Sequence, residues 1–235
     1  FVFFFCIKRS VEQRSKNTMR NNVVRQSEHL RTILDIQYDY LNGLAEEIGK
    51  TDHLLAKKNM NLIKSITKHT DFGGTALIKP NGDAHYDNGL IKNLSHRRYF
   101  KEVISGKRTL SDPLDSSISG STRVVLGVPI YNSKHKVIGA LGGSYDVTAL
   151  SRMLFEDLFN GQGCSMIIAQ NGEIIAFEGD TSYWNLDYRD NFYKYCCKWI
   201  IKDKVTVKKI KQDFKEGKEN LVTADSKKEG LIIKE

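Results

Sequence analysis

Apolar residues recur at three- and four-residue steps through Val23/Val24, Leu30, Ile33/Leu34, Leu41, Leu44 and Ile48, which predicts a helical stretch over residues 11–48. No proline interrupts it. Gly49-Lys50-Thr51-Asp52 breaks the pattern, with Thr51 or Asp52 as the cap of a second helix whose stripe is Leu54/Leu55, Met60, Leu62/Ile63 and Ile66. Both stripes are core-facing, and part of the first suits a helix–helix dimer seam. The period then changes. Phe72 to Lys79 reads as a strand, Pro80-Asn81-Gly82-Asp83 as a turn with glycine where positive φ is needed, and Ala84 to Tyr86 as the return. Asp87-Asn88-Gly89 punctuates again. Ser95 is placed to cap a short helix that Gly106 would stop. Val124 to Tyr131 and Val137 to Tyr145 are β-branched and apolar, and the five residues Asn132 to Lys136 between them are the length of a hairpin loop.

Ala149 to Phe159 reads as a short helix, ended by Asn160-Gly161-Gln162-Gly163. Ser165 to Ala169, a turn at Gln170-Asn171-Gly172-Glu173, and Ile174 to Phe177 then form a second strand–turn–strand. This echoes Thr75 to Asp83 and suits either two modules in tandem or one sheet with two hairpins. Helical patterns return around 189–201 and 205–217, and Leu221 to Ala224 and Gly230 to Ile233 read as short strands. An antiparallel sheet with helices against one face, an α+β fold, is the simplest arrangement of these pieces.

At 235 residues and 40% apolar content the chain can bury a core as one large domain or two small ones. The net charge is +8, with lysines crowded toward the end. They alternate with Asp213, Glu216, Glu219, Asp225 and Glu229, and no nucleic-acid module pattern accompanies them, so they read as solvated surface rather than a nucleic-acid site. Cys6, Cys164, Cys196 and Cys197 form no metal pattern. They read as small buried thiols, with a bridge from Cys164 to 196 or 197 as the alternative in an oxidising exterior. No metal or cofactor is expected. Phe1 to Ile7 are all apolar and are too few to span a bilayer, so residues 1–10 are expected to be the end of a transmembrane or signal segment.

The middle of the chain carries an ordered set of short motifs. They are Arg97-x-Tyr99-Phe100, Gly106-Lys107, Ser111-Asp112-Pro113, Val128-Pro129-Ile130-Tyr131, Ile138-Gly-x-Leu-Gly-Gly-x-Tyr145-Asp146 and Leu150. In this order they resemble the membrane-distal module of double Cache (PAS-like) sensor domains, which sit outside the membrane in bacterial chemoreceptors, sensor kinases and diguanylate cyclases. The resemblance covers about residues 27–235 and is strongest over 72–180. It implies long N-terminal helices over 11–70 and a distal Cache module over 71–163. The end of that module and a partial membrane-proximal module would occupy 164–235. It also implies a membrane-anchored receptor, an extracellular sensing domain, a homodimer through the first helix, and a small carboxylate or amino acid as ligand.

No nucleophile, metalloprotease or phosphate-loop motif is present, so no enzymatic activity is expected. Gly139 to Gly143 lies inside a strand and is not a phosphate cradle. The resemblance assigns a ligand carboxylate to Arg97 and Tyr99, and a ligand amine to Asp146. The chemistry suits these residues, since a guanidinium fork holds a carboxylate in two places and a carboxylate accepts from an ammonium. Two departures stand out. Lys92 replaces a tyrosine five residues before the arginine, and Tyr99-Phe100 replaces a Trp-Tyr pair, so a plain carboxylate fits as well as an α-amino acid. Asp112 and Asp115 lie on the loop expected over the pocket mouth, and Tyr131 and Tyr145 either line the cavity or shield it. Each residue has a structural alternative: Arg97 and Arg98 pairing with Asp112 or Asp115, Tyr99 and Phe100 as core aromatics, Asp146 as an N-cap near Val147. If the structural alternatives hold throughout, the domain is a ligand-free PAS-like spacer or a protein-interaction domain.

Overall fold

The computed structural model describes residues 2–51, 53–115, 122–147, 164–169, 171–179, 190–195 and 204–218. The chain divides into two compact units, Arg31–Met153 and a second made of Phe1–Leu30 with Leu154–Glu235. The expected helix at Ala149 to Phe159, the strands at 221–224 and 230–233, and most of 189–201 lie outside the described residues.

The first helix, α1 (Val2–Gly49), is one unbroken element of 48 residues. Its C-terminal turns bury Tyr38, Leu41, Ala45 and Ile48, whereas Val23, Ile36 and Tyr40 are exposed. Among the described residues no helix is long and apolar enough to cross a membrane. The second helix, α2 (Lys57–His69), begins later than expected, after Ala56, which makes no side-chain cap. Thr51 is not its cap: the Thr51 hydroxyl donates back to the Ile48 carbonyl at 2.7 Å and so closes α1 instead. Asn59, fully buried on α2, donates to Thr51 Oγ1 at 2.7 Å and to the Leu54 carbonyl at 3.1 Å, fixing the connection.

The unit's sheet is built from β1 (Gly74–Ile78), β2 (Asp83–Tyr86), β3 (Ile91–Asn93), β4 (Thr109–Leu110), β5 (Leu114–Asp115), β6 (Thr122–Tyr131) and β7 (Val137–Asp146). The spatial order is β3-β2-β1-β7-β6-β4, with β5 also on β6, and every pairing is antiparallel. The β6–β7 hairpin is its spine, and the Asn132 side chain closes its loop by accepting from the Lys134 and Lys136 amides at 3.0 Å.

Side chains alternate across a strand, so the register sorts them into two faces. One face carries Leu77, Val124, Leu126, Val128, Ile130, Leu141 and Tyr145, all at most 2% exposed. Removing each large aliphatic from water contributes about 1.5–3 kcal/mol. α2 covers part of this face, and Thr75 Oγ1 donates to the Ile63 carbonyl at 2.8 Å across the layer. The other face carries the short helix α3 (Arg98–Ile104), whose Tyr99, Phe100 and Val103 pack with Ala76, Ile78, Ala84, Leu94 and Ala140. Ser95 does not cap α3. Arg97 occupies the cap position, and the Ser95 amide and hydroxyl both bond Asn93 Oδ1, at 3.1 and 2.6 Å.

The second unit contains the hairpin β8 (Cys164–Ile168) with β9 (Ile174–Gly179), a short helix α4 (Phe192–Tyr195) and α5 (Lys204–Glu216). Tyr193, Val207 and Ile210 form a small core with Phe192. Its hairpin repeats the first unit's turn bond for bond. Lys79 N bonds Asp83 O at 2.9 Å, and Ala169 N bonds Glu173 O at 2.8 Å. The Gly82 amide bonds Lys79 O, the Gly172 amide Ala169 O; Leu94 N returns to Gly82 O, and Phe192 N to Gly172 O. Asn93 Nδ2 donates to Asn81 O at 3.2 Å, Asn191 Nδ2 to Asn171 O at 3.0 Å. The two glycines have φ of +94° and +90°. The sequence echo is therefore a repeated turn with its own anchoring asparagine, followed in each unit by a short helix.

Candidate functional site

The α3 face of the sheet has a floor of small residues. Reading across the strands, Tyr86, Ala76, Gly142, Gly127 and Thr109 are successive Cα partners. The next row toward one end is Gly74, Ser144 and Val125, and the last is Asp146, Arg123 and Leu114. Val103 of α3 rests over Gly127, where an added Cβ would meet its Cγ2 at 3.5 Å. A Cβ on Gly142 would meet Ile78 Cδ1 and Val125 Cγ1 at 3.6 Å and the Ala76 carbonyl oxygen at 4.0 Å, which is ordinary contact. The middle of this face therefore has room that bulky strand residues would fill.

Three polar side chains converge there. Arg97 enters from the α3 cap position with extended backbone (φ −77°, ψ 137°), and its amide is held by the Leu94 carbonyl at 2.9 Å. Its side chain is half-buried and makes no hydrogen bond or ion pair with a described residue. Tyr99 is buried on α3 and Tyr86 half-buried on β2. Burial pushes the Tyr99 phenol far above its ordinary range, with Tyr86 adding and Arg97 opposing. Burial likewise raises Tyr86, again against the pull of Arg97. Both phenols are therefore neutral donors close to one guanidinium, a set suited to a carboxylate and unsuited to a cation.

Of the residues expected at the site, the structure brings Arg97 and Tyr99 together and puts Asp146 on the same face, opposite Arg123 in the register. Asp112 is exposed at the edge, where its charge acts on Arg98. Arg98 itself pairs with Glu102 at 3.0 Å rather than with Asp112. The preceding loop is anchored by Ser111, whose hydroxyl accepts from the Val125 amide and donates to the Asp112 carbonyl, both at 2.8 Å. Asp115 is the Cα partner of Thr122 at the start of β6. Two expected tyrosines are elsewhere. Tyr145 projects from the opposite face, 2% exposed, its ring 4.6 Å from that of Phe72. Tyr131 ends β6 at the far side of the sheet, where its hydroxyl donates to the Gly106 carbonyl at 3.2 Å.

Two further residues belong to this face. Tyr86 reads in sequence only as the end of a return strand, although its alternation with Ala84 puts it on the α3 side. Arg123 reaches from β6 over β7, donating to the Gly73 carbonyl at 2.8 Å and Ser144 Oγ at 3.4 Å. Nothing in the local sequence marks it. Among the described residues no group of histidines, cysteines and carboxylates could hold a metal ion.

No protein-family model matches the chain, and no curated protein matches it in sequence. Solved structures do match in fold. The ligand-binding domain of the Pseudomonas aeruginosa PAO1 amino acid chemoreceptor PctC, in complex with GABA, is 13% identical with a TM-score of 0.57, over 69% of this chain and 74% of that one. The ligand-binding domain of the Pseudomonas fluorescens chemoreceptor CtaA, in complex with L-alanine, is 17% identical with a TM-score of 0.56, over 68% and 71%. The sensor domain of the Vibrio cholerae histidine kinase DctB is 15% identical with a TM-score of 0.57, over 74% of each chain. The long helix followed by an antiparallel α+β module is thus the Cache-type fold of receptor sensor domains.

Proposed function

We propose that this protein is the extracellular small-molecule-sensing domain of a membrane-anchored signal-transduction receptor, without enzymatic activity of its own. It binds a small carboxylate or amino acid between α3 and the sheet. The observation that carries this reading is Arg97, a half-buried cation with no counter-ion among the described residues, beside one buried and one half-buried phenol and above a floor of glycine and alanine. A side chain left in that state for packing alone would cost stability, whereas a bound carboxylate supplies the missing partner. The fold shared with chemoreceptor ligand-binding domains and a histidine-kinase sensor domain supports the receptor role.

Output would run through α1. Within the first unit Arg108, just after α3, pairs with Asp35 of α1 at 2.9 Å and lies 5.0 Å from the centre of the Tyr38 ring. A movement of α3 on ligand binding is thereby passed to the long helix. The exposed Ile36 and Tyr40 on α1 give a second copy an apolar strip to pair with, so the receptor works as a homodimer.

The test is a thermal-shift screen of the protein against small carboxylates and amino acids. A ligand at a hundred times its dissociation constant adds about 2.7 kcal/mol. At about 2–4 °C per kcal/mol for a chain of this size, that raises the melting temperature by about 5–10 °C. Arg97→Ala should abolish the shift while leaving the unliganded melting temperature within about 1–2 °C, the usual range for a half-buried surface change. A shift that survives in Arg97→Ala would refute the site. A folded protein that responds to no acid would be the ligand-free spacer.

A further inference from the structure

Resting on the sensing function above, we propose that Thr109 is a ligand-contacting residue that sets specificity: the bound carboxylate carries, at its other end, an uncharged oxygen, a hydroxyl or a carbonyl, that hydrogen-bonds the Thr109 hydroxyl.

Thr109 is 4% exposed on β4, and its hydroxyl is buried with no hydrogen-bond partner among the described residues. The other buried hydroxyls of this unit are satisfied. Ser111 Oγ accepts from the Val125 amide, and Thr75 Oγ1 donates to the Ile63 carbonyl. Valine has nearly the same shape as threonine, is as good a strand residue, and would leave no polar atom buried and unsatisfied. Packing therefore does not account for a threonine at this position. The residue opposite it is also costly for packing alone, since Gly127 is a glycine inside a ten-residue strand. A Cβ on Gly127 would stand 2.7 Å from Thr109 Oγ1, too close for the two to coexist. The glycine is thus what admits the hydroxyl, and the hydroxyl is turned inward over β6 rather than out from the sheet edge.

The register puts this hydroxyl across the floor from the cationic end of the site. In the row Tyr86, Ala76, Gly142, Gly127 and Thr109, Gly142 is the midpoint. Hydrogen-bonded strands lie about 4.8 Å apart, so the ends of the row are about 19 Å apart between Cα atoms. Tyr86, which feels the charge of Arg97, reaches in from one end, and Thr109 Oγ1 reaches in from the other. A carboxylate held by Arg97 directs the rest of its molecule over Gly142 toward Thr109. The surroundings there are apolar: Val103 of α3 stands over Gly127, its Cγ2 3.5 Å from the position of the added Cβ. A second carboxylate or an ammonium delivered to this end would exchange its water for one hydroxyl, which does not compensate a buried charge. A neutral oxygen is matched by one hydrogen bond, and a threonine hydroxyl supplies it as donor or acceptor.

Isothermal titration of the protein tests this with ω-hydroxy acids, from hydroxypropionate to hydroxyhexanoate, each against the alkanoate in which a methyl replaces the hydroxyl. At the chain length that reaches Thr109 the hydroxy acid should bind about tenfold tighter or more, because the methyl leaves the threonine hydroxyl buried without a partner. Thr109→Val should melt no lower than the parent when unliganded, keep its affinity for the alkanoate, and lose the preference for the hydroxy acid. Thr109→Ser, which retains the hydroxyl, should retain the preference. Binding of both members of every pair with equal affinity overturns the proposal and leaves the sensing function intact. A preference that persists in Thr109→Val overturns the assignment to this residue, and a lower melting temperature of unliganded Thr109→Val overturns its premise by showing the hydroxyl already satisfied. Binding of none of these acids refutes the sensing function for them and takes the proposal with it.

Discussion

Gly142 and Gly143 are neighbours on β7 and face opposite sides of the sheet, so a methyl group added to each should have opposite consequences. On Gly143 a Cβ would stand 2.5 Å from Phe72 Cε1 and 2.6 Å from Cδ1. Carbon atoms rest at about 3.5–4.0 Å, so the ring must retreat by about 1 Å. It has nowhere ready to go, because Phe72 is 2% exposed and its ring is tilted against that of Tyr145, also 2% exposed. Overfilling a packed core costs about 1–3 kcal/mol, and alanine in a strand recovers about 0.5–1 kcal/mol relative to glycine. Gly143→Ala should thus destabilise by about 1–2 kcal/mol and lower the melting temperature by about 2–8 °C. Gly142→Ala meets its nearest atoms at 3.6 Å and should leave stability unchanged or raise it by up to about 1 kcal/mol. The same methyl stands on the floor beside Ala76 and Val125, so ligand affinity should fall. Urea unfolding followed by circular dichroism measures both, read from midpoints at unchanged slope. A wild-type midpoint for Gly143→Ala, or an equal loss in the two variants, would refute the assignment of faces.

Three further outcomes follow from the same geometry. Arg108→Ala removes a half-exposed ion pair and a cation–π contact, so it should cost only about 0.5–1 kcal/mol. It should also raise the Tyr38 phenol above its present value, pushed up to about 12 by burial against the opposing charge of Arg108; an unchanged ultraviolet titration would contradict this. Burial holds Tyr38, Tyr99 and Tyr145 above the ordinary phenol value of 10.0, so the unfolded chain ionises first. Their contribution is complete below about pH 10 and is lost as pH rises through the folded values, and the urea midpoint should be level up to that pH and fall beyond it. Tyr145→Phe removes a buried hydroxyl with no hydrogen-bond partner among the described residues, so it should be at least as stable as the parent and lose less above pH 10. Gly82→Ala and Gly172→Ala each force a side chain to a φ near +90°, at about 1–2 kcal/mol for the backbone alone. Because the turns belong to different units, the two losses should add in the double variant within about 0.5 kcal/mol.

The parts of the fold legible in the sequence are those with a sustained period. The stripe of α1, the runs of β6 and β7, and the two Asn-Gly turns each repeat a local rule over enough residues to be read alone. β3, β4 and β5 do not. They are two or three residues long and exist because β2 and β6 offer them a ladder, which is information held elsewhere in the chain. The helix starts depart from their sequence signals for a related reason. Thr51 and Ser95 are good capping residues, but each hydroxyl has a nearer acceptor, the Ile48 carbonyl and the Asn93 side chain. The candidate site divides the same way. Arg97 and Tyr99 are two residues apart at the start of one helix and are legible together. Tyr145 and Asp146 are adjacent on a strand and so cannot both face one pocket, a constraint that strand alternation alone imposes. Tyr86 and Arg123 reach the face only through the register of β1, β7 and β6.

The mechanical consequence of this arrangement lies in how α3 is fastened at its two ends. Its N-terminal end carries Arg97, whose guanidinium has no protein counter-charge among the described residues, so its position depends on what occupies the face. Its C-terminal end is fixed twice. The Gly106 carbonyl accepts from the Tyr131 hydroxyl, and the Tyr131 backbone lies so close to Gly49 of α1 that an added Cβ there would collide with its carbonyl. Two residues beyond Gly106, Arg108 holds Asp35 and covers Tyr38 on the same helix. Asp35 and Gly49 are fourteen residues apart, about 21 Å along α1. A seven-residue helix drawn inward at one end by a carboxylate cannot pivot freely at the other when that end bears on a long helix at two points so widely spaced. In the proposed receptor the ligand's differential affinity for the two positions of α3 therefore becomes a bias on α1 itself, and the size of that bias is bounded by the binding free energy at Arg97. Arg108→Ala releases one of the two points. It should leave carboxylate affinity nearly unchanged while reducing the ligand-dependent change in hydrogen exchange of the α1 amides around Asp35. Exchange that responds to ligand as fully in this variant as in the parent would refute the coupling through Arg108.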